Sequence, residues 1–440
     1  MEVPAWRCHS GPVGRKVPRE SRPIFINLTT VRVHDRAVAI DGPYAWMRLA
    51  VSLLFATIGG SGMWAVIVVL PAVQAEFGID RAAASLPYTA TMLGFSVGNV
   101  LIGYAIDRWG FWRPALVASL ALAAGFGLAA MSTSVGQFAI VHGVLIGFGS
   151  SAIFGPLIAD ISHWFQRRRG IAVSIAAAGN YLAGAIWPLV MPYIMNAYGW
   201  RATYLIIGGI CLVTMLPLVL MLRRPAPLHL AASANGVRGT LPIRLSPAAL
   251  QTLLVVAGLA CCAAMSMPQV HLVAYCMDLG YGVARGTEML SIMLFAGVAS
   301  RLVSGLLSDR IGGIRTQLLG SALQCLALIL YLPFDGLASL YVVSLIFGLS
   351  QGGIVPAYAM IVREYMPPAE AGRRVGMVMT ATTLGMALGG WMSGWIYDLT
   401  GSYSAAFLNG IAWNLLNLAV MALVFWRASG FGVGGRPRLA

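Results

Sequence analysis

Apolar runs of twenty or so residues recur along this chain from residue 46 to residue 426, separated by short stretches that hold most of its charge. As a helix rising about 1.5 Å per residue, each run is long enough to cross a hydrocarbon layer of ~30 Å. About twelve such spans can be marked: 46–71, 85–106, 112–131, 135–159, 171–195, 201–222, 248–275, 286–307, 314–333, 337–362, 374–397 and 403–426. Inside a bilayer every backbone N–H and C=O must be bonded within the protein, so runs of this length are expected to be helices. Composition agrees. The chain is 58% hydrophobic and 10% charged, whereas a soluble domain carries about 25% charged residues. The expected fold class is an all-α membrane protein with twelve transmembrane helices.

The net charge of +14 would suggest a nucleic-acid partner if it were clustered on a soluble face. It is distributed by topology instead. With the N-terminus inside, 25 of the 29 Lys and Arg residues fall in cytoplasmic segments. Arg81, Arg201 and Arg285 fall outside, and Arg301 falls within a span. This is the positive-inside asymmetry. It predicts a multi-pass protein of the cell (inner) membrane with both termini cytoplasmic, no nucleic-acid partner, and a basic inner surface that suits anionic lipid. The six cysteines have no metal-ligand spacing and read as buried small hydrophobes. No phosphate-loop pattern and no metal-spaced His/Glu cluster is present, so no enzyme, metal or cofactor is expected.

The chain repeats itself at a spacing of just over 200 residues. Gly103-Tyr-Ala-Ile-Asp107-Arg108-Trp-Gly110 corresponds to Gly305-Leu-Leu-Ser-Asp309-Arg310-Ile-Gly312. GFG at 147–149 with Pro156 is echoed by Gly348 and Pro356, and AGNYLAG at 178–184 by LGMALGG at 384–390. WFQRRRG (164–170) has a weaker echo in AEAGRRVG. Matches in one order near one offset imply a duplicated six-helix unit. The expected domains are a disordered cytoplasmic tail at 1–44, a six-helix bundle at 45–222, a Pro-, Gly- and Arg-rich cytoplasmic linker at 223–247, a second bundle at 248–427, and a tail at 428–440. Two such halves around a midplane site form an alternating-access carrier. Asp107, Arg108, Arg113, Asp309, Arg310 and Arg315 cluster at cytoplasmic helix ends. They are expected to act as a gate that latches helices in one state. The alternative is ordinary solvated helix ends. Small-residue runs at 59–62, 147–151 and 348–353 are expected to let helices approach closely.

The duplicated GxxxDRxG loops resemble the major facilitator superfamily over residues 44–427. DGPYAW (41–46) and WFQRRRGIAVSIAAAG (164–179) resemble two signatures of its monocarboxylate porter family, and GWIYDLTGSYSAAF (394–407) resembles bacterial members and their oxalate/formate antiporter relatives. The resemblance implies a carrier of small monocarboxylates such as lactate or pyruvate, often coupled to protons. It also implies a role for Arg301, because the family's eighth span carries an Asp-x-x-x-Arg pair. Here Arg301-Leu-Val-Ser-Gly305-Leu306 matches the arginine end, while Gly297 occupies the Asp position. The lysine the family places in span one falls on Trp64, and span eleven lacks the antiporter lysine.

Arg301 is the sharpest anomaly. Its nearest charged neighbours in sequence, Asp309 and Glu288, lie about 12 Å and 20 Å away along a helix. A mid-membrane arginine costs roughly 2.5–3.5 kcal/mol on insertion scales. The expected compensation is the substrate's carboxylate, which a guanidinium fork binds through two parallel bonds. The alternatives are backbone carbonyls or pairing with Asp160 at the end of span four. Tyr88, Asn180, Trp64 and His271 are further candidate substrate contacts, each with a packing alternative. His271 and His142 are candidates to carry a coupled proton. The expected function is a secondary transporter of small monocarboxylate anions, by proton symport or anion exchange. Its partners are the carboxylate, the bilayer and protons. An exporter of drug-like or hydrophobic compounds is the main alternative, and a non-transporting membrane sensor is a lesser one.

Overall fold

The computed structural model describes residues 40–225, 241–367 and 370–429. Most of both predicted tails and of the 223–247 linker lies outside these residues. The described chain is helical from end to end. Span one is two helices, Pro43–Gly59 and Ser61–Phe77. Spans two and three are Arg81–Trp109 and Trp112–Ala130. Span four runs from Val135 to Ser162 in pieces. Spans seven, eight and nine are Pro247–Asp278, Gly282–Ile311 and Gly313–Leu330. Span ten is Leu337–Gln351 followed by Ile354–Tyr365, and spans eleven and twelve are Ala371–Thr400 and Tyr403–Ser429.

Spans five and six form one 53-residue run, Arg169–Met221. At about 1.5 Å per residue it would reach ~80 Å, far beyond one bilayer. It is broken at Gly199, with φ 78° and ψ 169°, a backbone geometry open essentially to glycine alone. Taken as two crossings, it completes the expected twelve.

The duplication is visible in packing. A Cβ at Gly147 would strike the Thr91 carbonyl, and a Cβ at Gly348 would strike the Met293 carbonyl. Span four thus lies backbone-to-backbone on span two as span ten lies on span eight. Without a hydrophobic drive in lipid, such close approach supplies the packing energy between helices. Large apolar side chains such as Val117, Val213, Phe295, Val303 and Leu408 are exposed on the outside, where lipid tails would cover them.

The two stretches that carry the family resemblance at 41–46 and 164–179 dock on each other. Asp41, in the left-handed region at φ 59°, accepts from the backbone N–H groups of Gln166 (3.3 Å) and Arg167 (3.1 Å). Tyr44 packs on Trp164 and Trp46 on Phe165, with ring centroids 5.0 and 5.1 Å apart. Beside them, Arg48 is fully buried in the first helix. It is a buried charge, although the expected charge distribution counted it among the cytoplasmic-segment cations. Its Nε and Nη2 grip Asp160 at 2.8 and 2.9 Å, and Nη1 donates to the Leu222 carbonyl at 3.0 Å. Asp160 is therefore committed to Arg48 and does not pair with Arg301.

Candidate functional site

The bundle has one face where the described chain enters and leaves, and a distal face opposite. Arg301 lies between them, ten residues from the end of its helix at Ile311, or about 15 Å. It is 6% exposed. Two broken helices meet it there. Span four loses regular geometry at Ser151–Phe154, where Phe154 has φ −117° and ψ −95°. Span ten breaks between Gln351 and Ile354. In carriers of this architecture, interrupted helices at the midplane mark the site, because their unwound backbone is free to bind.

The break in span ten has a covalent cause. In a continuous helix the Gly352 carbonyl would accept from the N–H of residue 356, but that residue is Pro356 and has none. Arg301 takes the orphaned oxygen, with Nε donating to Gly352 at 3.2 Å. Its Nη1 donates to the Ala177 carbonyl in span five at 2.8 Å. These bonds use two of the five guanidinium N–H groups, and the one to Ala177 joins the two halves. The Tyr181 ring centroid lies 4.4 Å from the guanidinium carbon and that of Phe154 5.8 Å. Of the readings open for Arg301, the carbonyl one describes its contacts in this structure.

Gly297, where the family resemblance implies an aspartate, lets this ring sit against Arg301. A Cβ there would stand 3.0 Å from Tyr181 Cδ1 and Cε1. An aromatic face, which attracts a cation through its quadrupole, takes the place of a carboxylate.

Trp64 and Asn180 meet at the same depth. Trp64 Nε1 donates to the Asn180 backbone carbonyl at 3.1 Å, with the Asn180 Oδ1 at 3.4 Å. Their polar atoms join span one to span five. Tyr88 and His271 form a second tier, closer to the distal face. Both flank Gly390 in span eleven: a Cβ there would come within 2.9 Å of the Tyr88 ring, and His271 Nε2 donates to its carbonyl at 2.7 Å. The Tyr88 hydroxyl and His271 Nδ1 are buried without a protein partner.

His142 differs. It begins a π-helical turn, His142–Gly147, and both its ring nitrogens are bonded, to Thr91 Oγ1 at 3.0 Å and Tyr204 Oη at 3.1 Å. Thr91 gives its own proton to the Pro87 carbonyl, so His142 Nδ1–H donates to Thr91 and Nε2 accepts from Tyr204. Taking up a proton at Nε2 would require the Tyr204 hydroxyl to turn and accept in place of donating. The residue ties spans two, four and six together.

The expected gate at the terminal face is not formed in this state. Asp107, Arg108, Arg113, Asp309 and Arg310 are exposed and make no ion pair among the described residues. The halves are instead joined at the distal face by Arg81, which the sequence placed only as one of three outside cations. Its Nη2 donates to Asp278 at 2.7 Å, and its Nη1 to Tyr403 Oη at 2.8 Å. Asp398 accepts from the Arg81 and Ala82 backbone N–H groups at 2.9 and 2.7 Å, bonding the first turn of span two. Asp398 and Tyr403 lie within the stretch at 394–407 that resembles bacterial porters. We expect Arg81→Gln to part the halves here. Losing this partly exposed charged cluster should cost about 1–3 kcal/mol, or roughly 5-fold to 150-fold in population. Spin labels at Thr133 and Asp335, read by double electron–electron resonance, should move apart. Distributions identical to wild type would show that the cluster contributes nothing to closure.

No His/Cys/Asp/Glu cluster able to hold a metal occurs among the described residues.

The family model of the Major Facilitator Superfamily matches residues 52–359 and 289–437. Monocarboxylate transporter 11 of Homo sapiens is 26% identical over 388 residues, covering 84% of this chain and 80% of that protein. Monocarboxylate transporter 13 of Bos taurus is 26% identical over 401 residues, covering 88% and 90%. The agnestins efflux protein AgnL12 of Paecilomyces divaricatus is 24% identical over 350 residues, covering 77% of each. Among solved structures, a bacterial homolog of the human lysosomal transporter Spinster, in an inward-facing and occupied conformation, superposes with a TM-score of 0.67. It has 14% identity, over 91% of this chain and all of that one. The nucleoside transporter NupG gives 0.67 and 14% over 86% and 99%. A family match running almost the length of the helices, on a duplicated twelve-span fold with helices broken at its midplane, makes this chain a member of the major facilitator superfamily.

Proposed function

We propose that this chain carries small monocarboxylate anions of the lactate and pyruvate type by alternating access, with Arg301 binding the carboxylate. The observation that carries the reading is a buried guanidinium placed between two broken helices, bonded to both halves, with no acidic partner among the described residues. A carboxylate arriving there meets a fork already oriented by Tyr181 and two carbonyls. Trp64 and Asn180 line the same level. Protons couple through His271, whose Nδ1 is buried and unbonded while Nε2 is held by Gly390. By the positive-inside bias the terminal face is cytoplasmic and the membrane is the cell's inner one. On this reading Asp107, Arg108, Arg113, Asp309 and Arg310 close that face in the opposite state, and Arg81 closes the distal face in this one.

The test is uptake of labelled pyruvate and lactate into proteoliposomes, with and without an inward proton gradient. Saturable uptake driven by the gradient is expected. His271→Gln, which keeps a donor for Gly390, should lose the gradient stimulation while retaining exchange of one acid for another. A variant that still responds fully to the gradient removes the residue from coupling. A second reading, export of larger hydrophobic compounds, draws on the rings of Tyr181 and Phe154 against Arg301 and on the efflux protein among the relatives. Energy-dependent dye efflux with no response to either acid would favour it.

A further inference from the structure

Of the glutamines buried within apolar spans, which include Gln317 and Gln324 of span nine, two are set apart by bonding to each other. Gln269 is in span seven, and Gln351 is the last residue before the break in span ten. Both are buried, at 2% and 0% exposure. One hydrogen bond joins them, from Gln269 Nε2 to Gln351 Oε1 at 2.5 Å. Gln269 Oε1 and Gln351 Nε2 have no protein partner. Each such buried orphan carries an uncompensated desolvation penalty, which apolar side chains filling the same space would not. Turning both amides over leaves the same inventory, one free acceptor and one free donor. Through Gln351 the pair is next in the chain to the candidate site. Gln351 immediately precedes Gly352, whose carbonyl holds Arg301 Nε at 3.2 Å, and consecutive Cα atoms are only about 3.8 Å apart.

We infer that Gln269 and Gln351 are specificity residues that read the substituent on the carbon next to the substrate carboxylate. The inference rests on the proposed role of Arg301 and adds the chemistry of the neighbouring atom. The free amide N–H donates to an oxygen on that carbon, and the free amide oxygen accepts from a hydroxyl. A 2-hydroxy acid satisfies both groups, a 2-oxo acid satisfies the donor only, and an unsubstituted acid satisfies neither. The order of preference is therefore 2-hydroxy, then 2-oxo, then unsubstituted.

Three acids of equal carbon number test this: lactate, pyruvate and propionate, as competitors of labelled lactate uptake in proteoliposomes. In wild type each step down the series should weaken competition by about tenfold. The double variant Gln269→Met, Gln351→Met, near-isosteric and apolar, should bring the three acids within about twofold of one another while propionate keeps its wild-type value. Arg301→Lys is run in parallel and should lose all three. Equal competition by the three acids in wild type overturns the inference with no variant needed. So does a double variant that keeps the wild-type order, or that weakens all three acids equally while eluting as folded monodisperse protein. If those results come with an Arg301→Lys variant that has lost uptake, the glutamine assignment alone fails. If Arg301→Lys transports all three acids normally, the carboxylate site falls and this inference with it.

Discussion

Arg301→Lys should reduce carboxylate uptake by about a hundredfold at equal protein in the membrane. The substitution preserves the positive charge, so long-range attraction of an anion is retained. What it removes is the planar fork. A lysine ammonium is a compact point charge; it cannot hold the Gly352 and Ala177 carbonyls in the present geometry and also present two parallel donors to a carboxylate. Hydrogen bonds to charged groups contribute about 1.5–3 kcal/mol each, and about 1.4 kcal/mol is a factor of ten. Losing the bidentate arrangement therefore accounts for the expected drop. The measurement is initial uptake rate, with size-exclusion elution as the control for folding. Undiminished uptake by the lysine variant would rule out bidentate recognition. Loss of uptake accompanied by loss of the folded peak would leave Arg301 only its role in bridging the two helix backbones.

The second large effect concerns stability. Asp160→Asn should destabilise the protein by about 3–5 kcal/mol, because it leaves the Arg48 guanidinium buried without its counter-charge. Arg48 has no exposed surface, sits over the Trp164 ring with its guanidinium carbon 4.7 Å from the centroid, and is committed to Asp160 through both Nε and Nη2. It cannot swing out to solvent without breaking the carbonyl contacts to Leu222 and Arg224. The charge-free double variant Arg48→Met, Asp160→Asn should recover much of the loss, since a buried ion pair costs most when only one member is removed. Melting temperatures in detergent decide it. A single variant that melts with wild type, or a double variant no more stable than the single, would refute this account of the pair.

Several features of the site were written in local sequence. The charge of Arg301 within an apolar run, and the echo of Gly147 by Gly348, needed only residue types and spacing. The oddity of Gly297 rested on the family resemblance, which implies an aspartate there. Other features were legible in principle. Pro356, four residues after Gly352, announces an unbonded carbonyl, and two glutamines within apolar spans announce polar groups seeking partners. Arg48 was harder to place, because five residues into a helix a cation can either reach the headgroups or be buried, and its own neighbours do not distinguish the two.

The sequence by itself determined the twelve crossings, the duplication and the residues whose charge would be expensive in lipid, because hydropathy and spacing are properties of the chain read in order. The pairings were decided by tertiary structure alone. Arg48 faces Asp160 across 112 positions, Arg301 faces Ala177 across 124, and Arg81 faces Asp278 across 197. A buried charge requires a partner, but any of several acids, carbonyls or rings can satisfy that requirement. Which one does so depends on how the helices rotate and close, and those rotations are set by glycine contacts summed over the whole bundle.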